Sequence, residues 1–177
     1  MQEELLIAGT GGQGVDSAGS VLAHMALEQD LEVCYISLYS PEVRGGWVTS
    51  TVVIADAEVG SPIVGKVDSL LLFDKRAADD HLAKIRAGGL VVANSSLTGP
   101  LTVADAELIE LPATKMAAEL GNEQATNMIM LGAYVEVRGL LQLSYFEAAL
   151  KTVLPDRHHK HIPLNLEAAK LGAQQVS

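Results

Sequence analysis

Residues Leu5 to Leu27 constrain this chain more than any other stretch. Leu5-Leu6-Ile7-Ala8 is a short apolar run. It enters a turn with four glycines, Gly9-Thr10-Gly11-Gly12-Gln13-Gly14. From Asp16 to Gln29 the pattern is that of a helix, with Asp16 or Ser17 able to cap its start. Strand, glycine turn and helix in succession form the unit with which α/β domains build anion sites. Glycines reach backbone angles closed to other residues and let a ligand approach the main chain. The first helical turn offers unpaired N–H groups and the positive end of its dipole. This turn should lie at the edge of a ligand site or of a subunit contact.

The material available to pack around that unit narrows the fold. Hydrophobic residues make up 49% of the chain and aromatics only 4%, so the core should be Ala, Val, Leu and Ile. That favours a buried, mostly parallel sheet covered by helices. A length of 177 residues fits one domain spanning 1–177. The net charge of −10 argues against a nucleic-acid partner, which requires a basic face. The single cysteine, Cys34, excludes a disulfide framework and any iron–sulfur cluster held by this chain alone. No apolar stretch approaches ~20 residues, so no membrane partner is expected. The acidic start Met1-Gln2-Glu3-Glu4 is unlike a signal peptide, and a reducing cytoplasm is the expected setting.

Taken in order, Glu32 to Leu38 reads as a second strand, parallel to the first if the crossover is ordinary. Tyr39 to Gly46 is a loop. Trp47 to Ala55 is β-branched and follows without room for a helix, so it should be a strand reached by a turn, leaving room for a mixed sheet. Further strands are expected at Asp68–Phe73, Leu90–Ala93 and Ala106–Leu111. Helices are expected at Arg76–Ala87, ending at Gly88-Gly89, and at Thr114–Leu120, Ser144–Leu154 and Leu164–Gln175. Asn127 to Val135 is apolar nearly all round and should be a buried helix. The alternation predicts an α/β sandwich.

Gly9-x-Gly11-x-x-Gly14 matches the dinucleotide fingerprint as a string. The fingerprint also needs an acidic residue at the end of the second strand, and Ile36-Ser37-Leu38-Tyr39 supplies none. A stand-alone NAD(P)- or FAD-dependent oxidoreductase is therefore the alternative reading. A Walker loop fails, because Val15-Asp16 follows Gly14. Pro41-Glu42-Val43-Arg44-Gly45-Gly46 is the second unusual stretch. A second strand parallel to the first would bring it out beside the glycine turn, at the carboxyl edge of the sheet. Arg44 could hold a phosphate or carboxylate, or could simply pair with Glu42 in a turn. Trp47 suits core filling or a protein contact equally. The group His158, His159 and His161 could be a metal site or a solvated loop, and its basic neighbours favour the loop. Cys34 reads as buried filling. Ser17 and Ser20 lack a base, so no self-contained catalytic set emerges and no metal ligands are assigned.

The two stretches together resemble the γ subunit of 2-oxoacid:ferredoxin oxidoreductases. The hallmark Gly-x-Gly-Gly-Gln-Gly is matched at Gly9 to Gly14. Tyr-Gly/Ser-Pro-Glu-x-Arg-Gly-Gly is matched at Tyr39 to Gly46. The likeness continues through Val59–Val64, Asp68, Asn127–Gly132 and Leu164–Ala168, and so runs along essentially the whole chain. It implies a three-layer α/β/α, Rossmann-like domain. It also implies a complex that oxidatively decarboxylates a 2-oxoacid, forms acyl-coenzyme A and reduces ferredoxin. Thiamine diphosphate, Mg2+ and [4Fe-4S] clusters would belong to the α, β and δ partner subunits. This chain would hold none of them and would be inactive alone. Coenzyme A is the one ligand it could touch, through Gly9, Thr10, Gly11, Gly12, Gln13, Gly14, Ser40, Glu42, Arg44, Gly45 and Gly46. Departures at Trp47-Val48 and Phe73-Asp74-Lys75 fall where substrate or partner contacts could differ. The overall pattern favours 2-oxoglutarate, with pyruvate, branched-chain oxoacids and aryl pyruvates open. An orphaned γ chain would expose its docking face and self-associate.

Overall fold

The computed structural model describes residues 1–42 and 45–177. Six strands form one sheet in the order β2-β3-β1-β4-β5-β6. They are β1 (Gln2–Thr10), β2 (Glu32–Tyr39), β3 (Trp47–Ala55), β4 (Val67–Leu72), β5 (Ile85–Asn94) and β6 (Glu107–Leu111). β1, β4, β5 and β6 run parallel; β3 lies antiparallel to both β1 and β2. The sheet is therefore mixed. β2 points the same way as β1, as an ordinary crossover predicts, but β3 is inserted between them.

The helices are α1 (Val15–Leu27), α2 (Lys75–His81), α3 (Ser95–Thr98), α4 (Ala113–Glu119), α5 (Thr126–Arg138), α6 (Phe146–Val153) and α7 (Ile162–Gln174). The pleat of the sheet divides the core. Leu5, Ile7, Val52, Ile54, Leu71 and Val92 face α1 and the α4–α7 group. Leu6, Ala8, Leu70, Leu72, Val91 and Ala93 face α2. Burial on both faces explains the apolar runs Leu5–Ala8 in β1 and Leu70–Leu72 in β4. The layers are α/β/α, with the larger one built on α5. Thr126 to Val135 is buried throughout, as its all-round apolarity requires.

Three local expectations are corrected. α1 is not capped by Asp16 or Ser17; its N-cap is Gly14, at φ 76°, without a side-chain cap. The Asp16 carboxylate is instead committed to hydroxyls of β2. The expected helix over Arg76–Ala87 ends at His81, followed by a 3-10 turn at Leu82–Lys84. Gly88-Gly89 does not stop a helix. It lies inside β5, where the register against β4 jumps from Val67↔Ile85 to Ser69↔Leu90. The left-handed φ of 76° at Gly88 absorbs the extra residues as a bulge. Cys34 is half-buried, because β2 is an edge strand.

At the opposite end of the sheet from the glycine turn, Glu3 is almost fully buried. It accepts hydrogen bonds from Arg138, Tyr134 and Ser69. Arg86 links Glu4 and Asp68 nearby, at 2.6 Å each. These pairs pin α5 and β5 to the start of β1. None of the helices among the described residues is long and apolar enough to cross a membrane.

Candidate functional site

β1 delivers the chain to the carboxyl edge of the sheet at Thr10, directly opposite Trp47, the first residue of β3. That register brings the glycine turn and the Tyr39–Gly46 connection together. The Gly11 N–H donates to the Gly46 carbonyl at 2.8 Å, and the Ser40 N–H to the Trp47 carbonyl at 2.9 Å. The result is a trough of about 660 Å³ between the two loops. Thr10, Gly11, Gly12, Gly14, Ser40, Glu42, Gly45 and Gly46 all line it. Gly9 and Gln13 lie outside it and shape the turn: Gln13 Oε1 accepts from the Thr10 N–H at 2.7 Å, in the space a side chain at Gly9 would fill. Arg44 and Val43 lie outside the described residues.

The turn keeps donors in reserve. Ala18 is the first residue of α1 to donate back, to the Gly14 carbonyl. The N–H groups of Val15, Asp16 and Ser17 are thus the unpaired first-turn donors of a helix. Gly12 sits at φ 97°, and a Cβ built there would meet nothing within 4 Å. Its face is open to a ligand. Gly14 is different: its Cβ would fall 2.4 Å from the Asn127 amide nitrogen, which donates to the Gly14 carbonyl at 3.2 Å. One glycine leaves space for a ligand and the other locks the turn onto α5. Thr10 Oγ1 donates to Asp74 Oδ2 at 2.7 Å, and Asp74 Oδ1 caps α2.

Asp16, Ser17, Tyr39, Trp47 and Val48 complete the trough wall. The sequence suggests only a cap at Asp16, and its second role follows from β2 and β3 passing beneath α1. Ser37 Oγ donates to Asp16 at 2.6 Å, and Tyr35 donates to the same oxygen. Ser50 extends the chain of hydroxyls. Burial alone would raise the Asp16 pKa, but the hydroxyls of Ser37, Tyr35 and Tyr39 outweigh it and hold the carboxyl below its usual range. Burial, reinforced by Asp16, pushes Tyr35 up to about 12. The network therefore fixes one carboxylate and keeps its tyrosine neutral. No spacing rule links Asp16 to Tyr35 and Ser37, so the sequence carried no signal for it.

The dinucleotide unit is not formed. It needs a second strand beside β1 with an acid at its end, whereas β3 occupies that place and β2 ends in Leu38-Tyr39. His158, His159 and His161 lie on a 3-10 turn at Asp156–His161. Among the described residues no group of three or more His, Cys, Asp or Glu could hold a metal ion. The His159 ring is used structurally, with Nε2 at 2.9 Å from the Leu154 carbonyl.

The family model described as pyruvate ferredoxin/flavodoxin oxidoreductase matches residues 4–175. The chain belongs to this family. Among relatives in the pyruvate ferredoxin/flavodoxin oxidoreductase family, it is 33% identical to the 2-oxoglutarate synthase subunit KorC of Methanothermobacter marburgensis, covering 88% of each chain. It is 34% identical to the ketoisovalerate oxidoreductase subunit VorA of the same organism, covering 94% of this chain but only 35% of VorA. Among solved structures, the keto/oxoacid ferredoxin oxidoreductase γ subunit of Geobacter sulfurreducens superimposes with a TM-score of 0.83 at 27% identity, over 98% of both chains. A 2-oxoglutarate:ferredoxin oxidoreductase from Magnetococcus marinus, with 2-oxoglutarate, coenzyme A and succinyl-CoA bound, shares the fold with a TM-score of 0.88 at 21% identity. This chain corresponds to 32% of it.

Proposed function

We propose that this chain is the γ-type subunit of a multi-subunit 2-oxoacid:ferredoxin oxidoreductase, acting as one domain that binds coenzyme A beside the reaction centre of its partners. One observation carries the reading. The register of β1 on β3 holds described residues of the two family motifs, Thr10, Gly11, Gly12 and Gly14 from one and Ser40, Glu42, Gly45 and Gly46 from the other, against one trough, with helix N–H donors at its rim. Such donors suit the pyrophosphate of coenzyme A, and the second motif carries in Arg44 the residue type whose guanidinium matches a phosphate. The described groups of the trough include the carboxylates of Asp16 and Glu42 and no histidine, cysteine or lysine. Thiamine, Mg2+ and iron–sulfur chemistry then fall to α, β and δ partners, and the oxidoreductase works only as the assembly. Relatives acting on 2-oxoglutarate and ketoisovalerate support a 2-oxoacid substrate, with 2-oxoglutarate favoured.

The test is to reconstitute the chain with its genomic neighbours and measure ferredoxin reduction against coenzyme A concentration. Arg44→Ala and Gly12→Ala should raise the KM for coenzyme A at least tenfold while the KM for oxoacid stays within twofold. Full turnover by the isolated chain, or an unchanged coenzyme A KM in both variants, refutes the proposal.

A further inference from the structure

The two outer strands of the sheet are finished differently. β6 has five residues, carries Glu107 and Glu110, and stops at Pro112. Short length, charge and proline guard a sheet edge against pairing with a further strand. β2 has none of these guards. It runs eight residues, Glu32–Tyr39, with one charge at its first position and no proline. Its pairing with β3 keeps one register from end to end, so no bulge twists the edge away.

The phase of that pairing fixes what the free edge offers. The Ser40 N–H donates to the Trp47 carbonyl, in continuation of the register of β2 on β3. Hydrogen-bonded pairs alternate along an antiparallel ladder, so the even-numbered residues of β2 bond to β3. Val33, Tyr35, Ser37 and Tyr39 turn their N–H and C=O groups outward. Among the described residues no hydrogen bond reaches those main-chain groups. The side chains divide in the same way. Val33 and Tyr35 pack into the core under α1. Cys34, Ile36 and Leu38 point to the other face, where α2 packs on β1 and β4 and α3 on β5 and β6. Leu38 is 52% exposed, and Cys34 and Ile36 are half-buried. On the α1 face, Asp16 reaches Ser37 and Tyr35. Ser20, His24 and Leu27, at helical spacing from Asp16, therefore lie toward the free edge, and Leu27 is exposed.

We propose that the β2 edge is the contact between two copies of this chain, paired antiparallel about a two-fold axis at Ile36. Only residues that turn outward in both copies can exchange hydrogen bonds. One register, Val33 to Tyr39 and Tyr35 to Ser37, engages all four of them in each copy. It sets Ile36 opposite itself and Cys34 opposite Leu38, which joins the two bare apolar stripes into one. The strand is also complementary to itself in charge. Glu32, its one charged residue, meets Ser40 of the other copy. The two Glu32 residues then stand about 27 Å apart at ~3.4 Å per residue, well beyond the ~8 Å screening length. A parallel partner of the same sequence would set them side by side. Strands lie ~4.8 Å apart and α1 rests on β2 and β3, so the two α1 helices come about 10 Å apart, the separation of packed helices. This contact does not depend on coenzyme A binding in the trough.

Sedimentation of the full chain should show a monomer–dimer equilibrium. Amide exchange at Val33, Tyr35, Ser37 and Tyr39 should slow at least tenfold as rising concentration forms the dimer, and exchange at Cys34, Ile36 and Leu38, already bonded to β3, should change less. Ile36→Lys sets two cations opposite each other and should weaken the dimer at least tenfold, with thermal unfolding as the check on folding. Leu38→Cys should form a disulfide with the native Cys34 of the second copy, because opposed residues of a non-hydrogen-bonded pair stand about 4.5 Å apart. Adding Cys34→Ser should abolish that link. The unaltered chain, whose two Cys34 residues lie about 14 Å apart along the strands, should not crosslink. A full chain that stays monomeric overturns the proposal, and slowed exchange at the four outward amides only in the assembly with its genomic neighbours would then give the edge to a strand of another subunit. A dimer that Ile36→Lys leaves intact, or in which Leu38→Cys does not link to Cys34, places the contact elsewhere and overturns it equally.

Discussion

Gly12 and Gly14 are two residues apart in one motif, and alanine at each should fail differently. Both positions have left-handed φ, 97° and 76°, so a Cβ costs about 1–3 kcal/mol of backbone strain at either. At Gly12 the new methyl meets no protein atom. At Gly14 it displaces Asn127, a residue only 5% exposed, whose amide would lose its bond to the Gly14 carbonyl. An orphaned buried donor adds about 1–3 kcal/mol. Gly14→Ala should therefore be less stable than Gly12→Ala by about 1–3 kcal/mol, or ~2–12 °C in melting temperature for a chain of this size. Urea unfolding and calorimetry of the full chain read this difference. Coenzyme A affinity should fall in both, but in Gly12→Ala it should fall with the melting temperature lowered only by the strain. Equal stability of the two variants, or a Gly12→Ala protein with the greater loss, would refute the division between a ligand-facing glycine and a scaffold glycine.

Other outcomes follow from the same contacts. Asp16 has a folded pKa below its unfolded value, so it adds stability above about pH 4 that is lost as pH falls through the folded value. Asp16→Asn should flatten that acid limb of the stability curve, measured by urea midpoints between about pH 2 and 6. Glu3→Ala leaves Arg138 facing a buried hydroxyl without its carboxylate and should cost about 3 kcal/mol, read by urea denaturation. A Cβ on Gly132 would fall 1.9 Å from the Ala169 carbonyl oxygen. Gly132→Ala should thus separate α5 from α7 and cost about 2 kcal/mol or more, despite the helix propensity gained, with a matching fall in melting temperature.

The strand–turn–helix unit at Leu5–Leu27 was legible because its signals are local. Four glycines, an apolar run and a helical period all act within a few residues of one another. The all-apolar Asn127–Val135 segment announced its burial for the same reason. The direction of β2 and the mixed character of the sheet also followed from connection length. What failed was local chemistry with a distant competitor. Gly88-Gly89 resembles a helix stop, but β4 captured the segment as a bulged strand. Asp16 resembles a cap, but Ser37 and Tyr35 took its carboxylate.

The family and the two loops that bear its motifs are readable from the order of residues, since both are contiguous patterns. The tertiary structure alone decided that β3 separates β1 from β2, which removes the dinucleotide unit and sets the two loops face to face. It alone put β2 at the outer edge of the sheet and left a regular strand without a neighbour. Features of that kind depend on which strands pair after packing, and packing is set by the summed burial of many side chains, not by any single pattern.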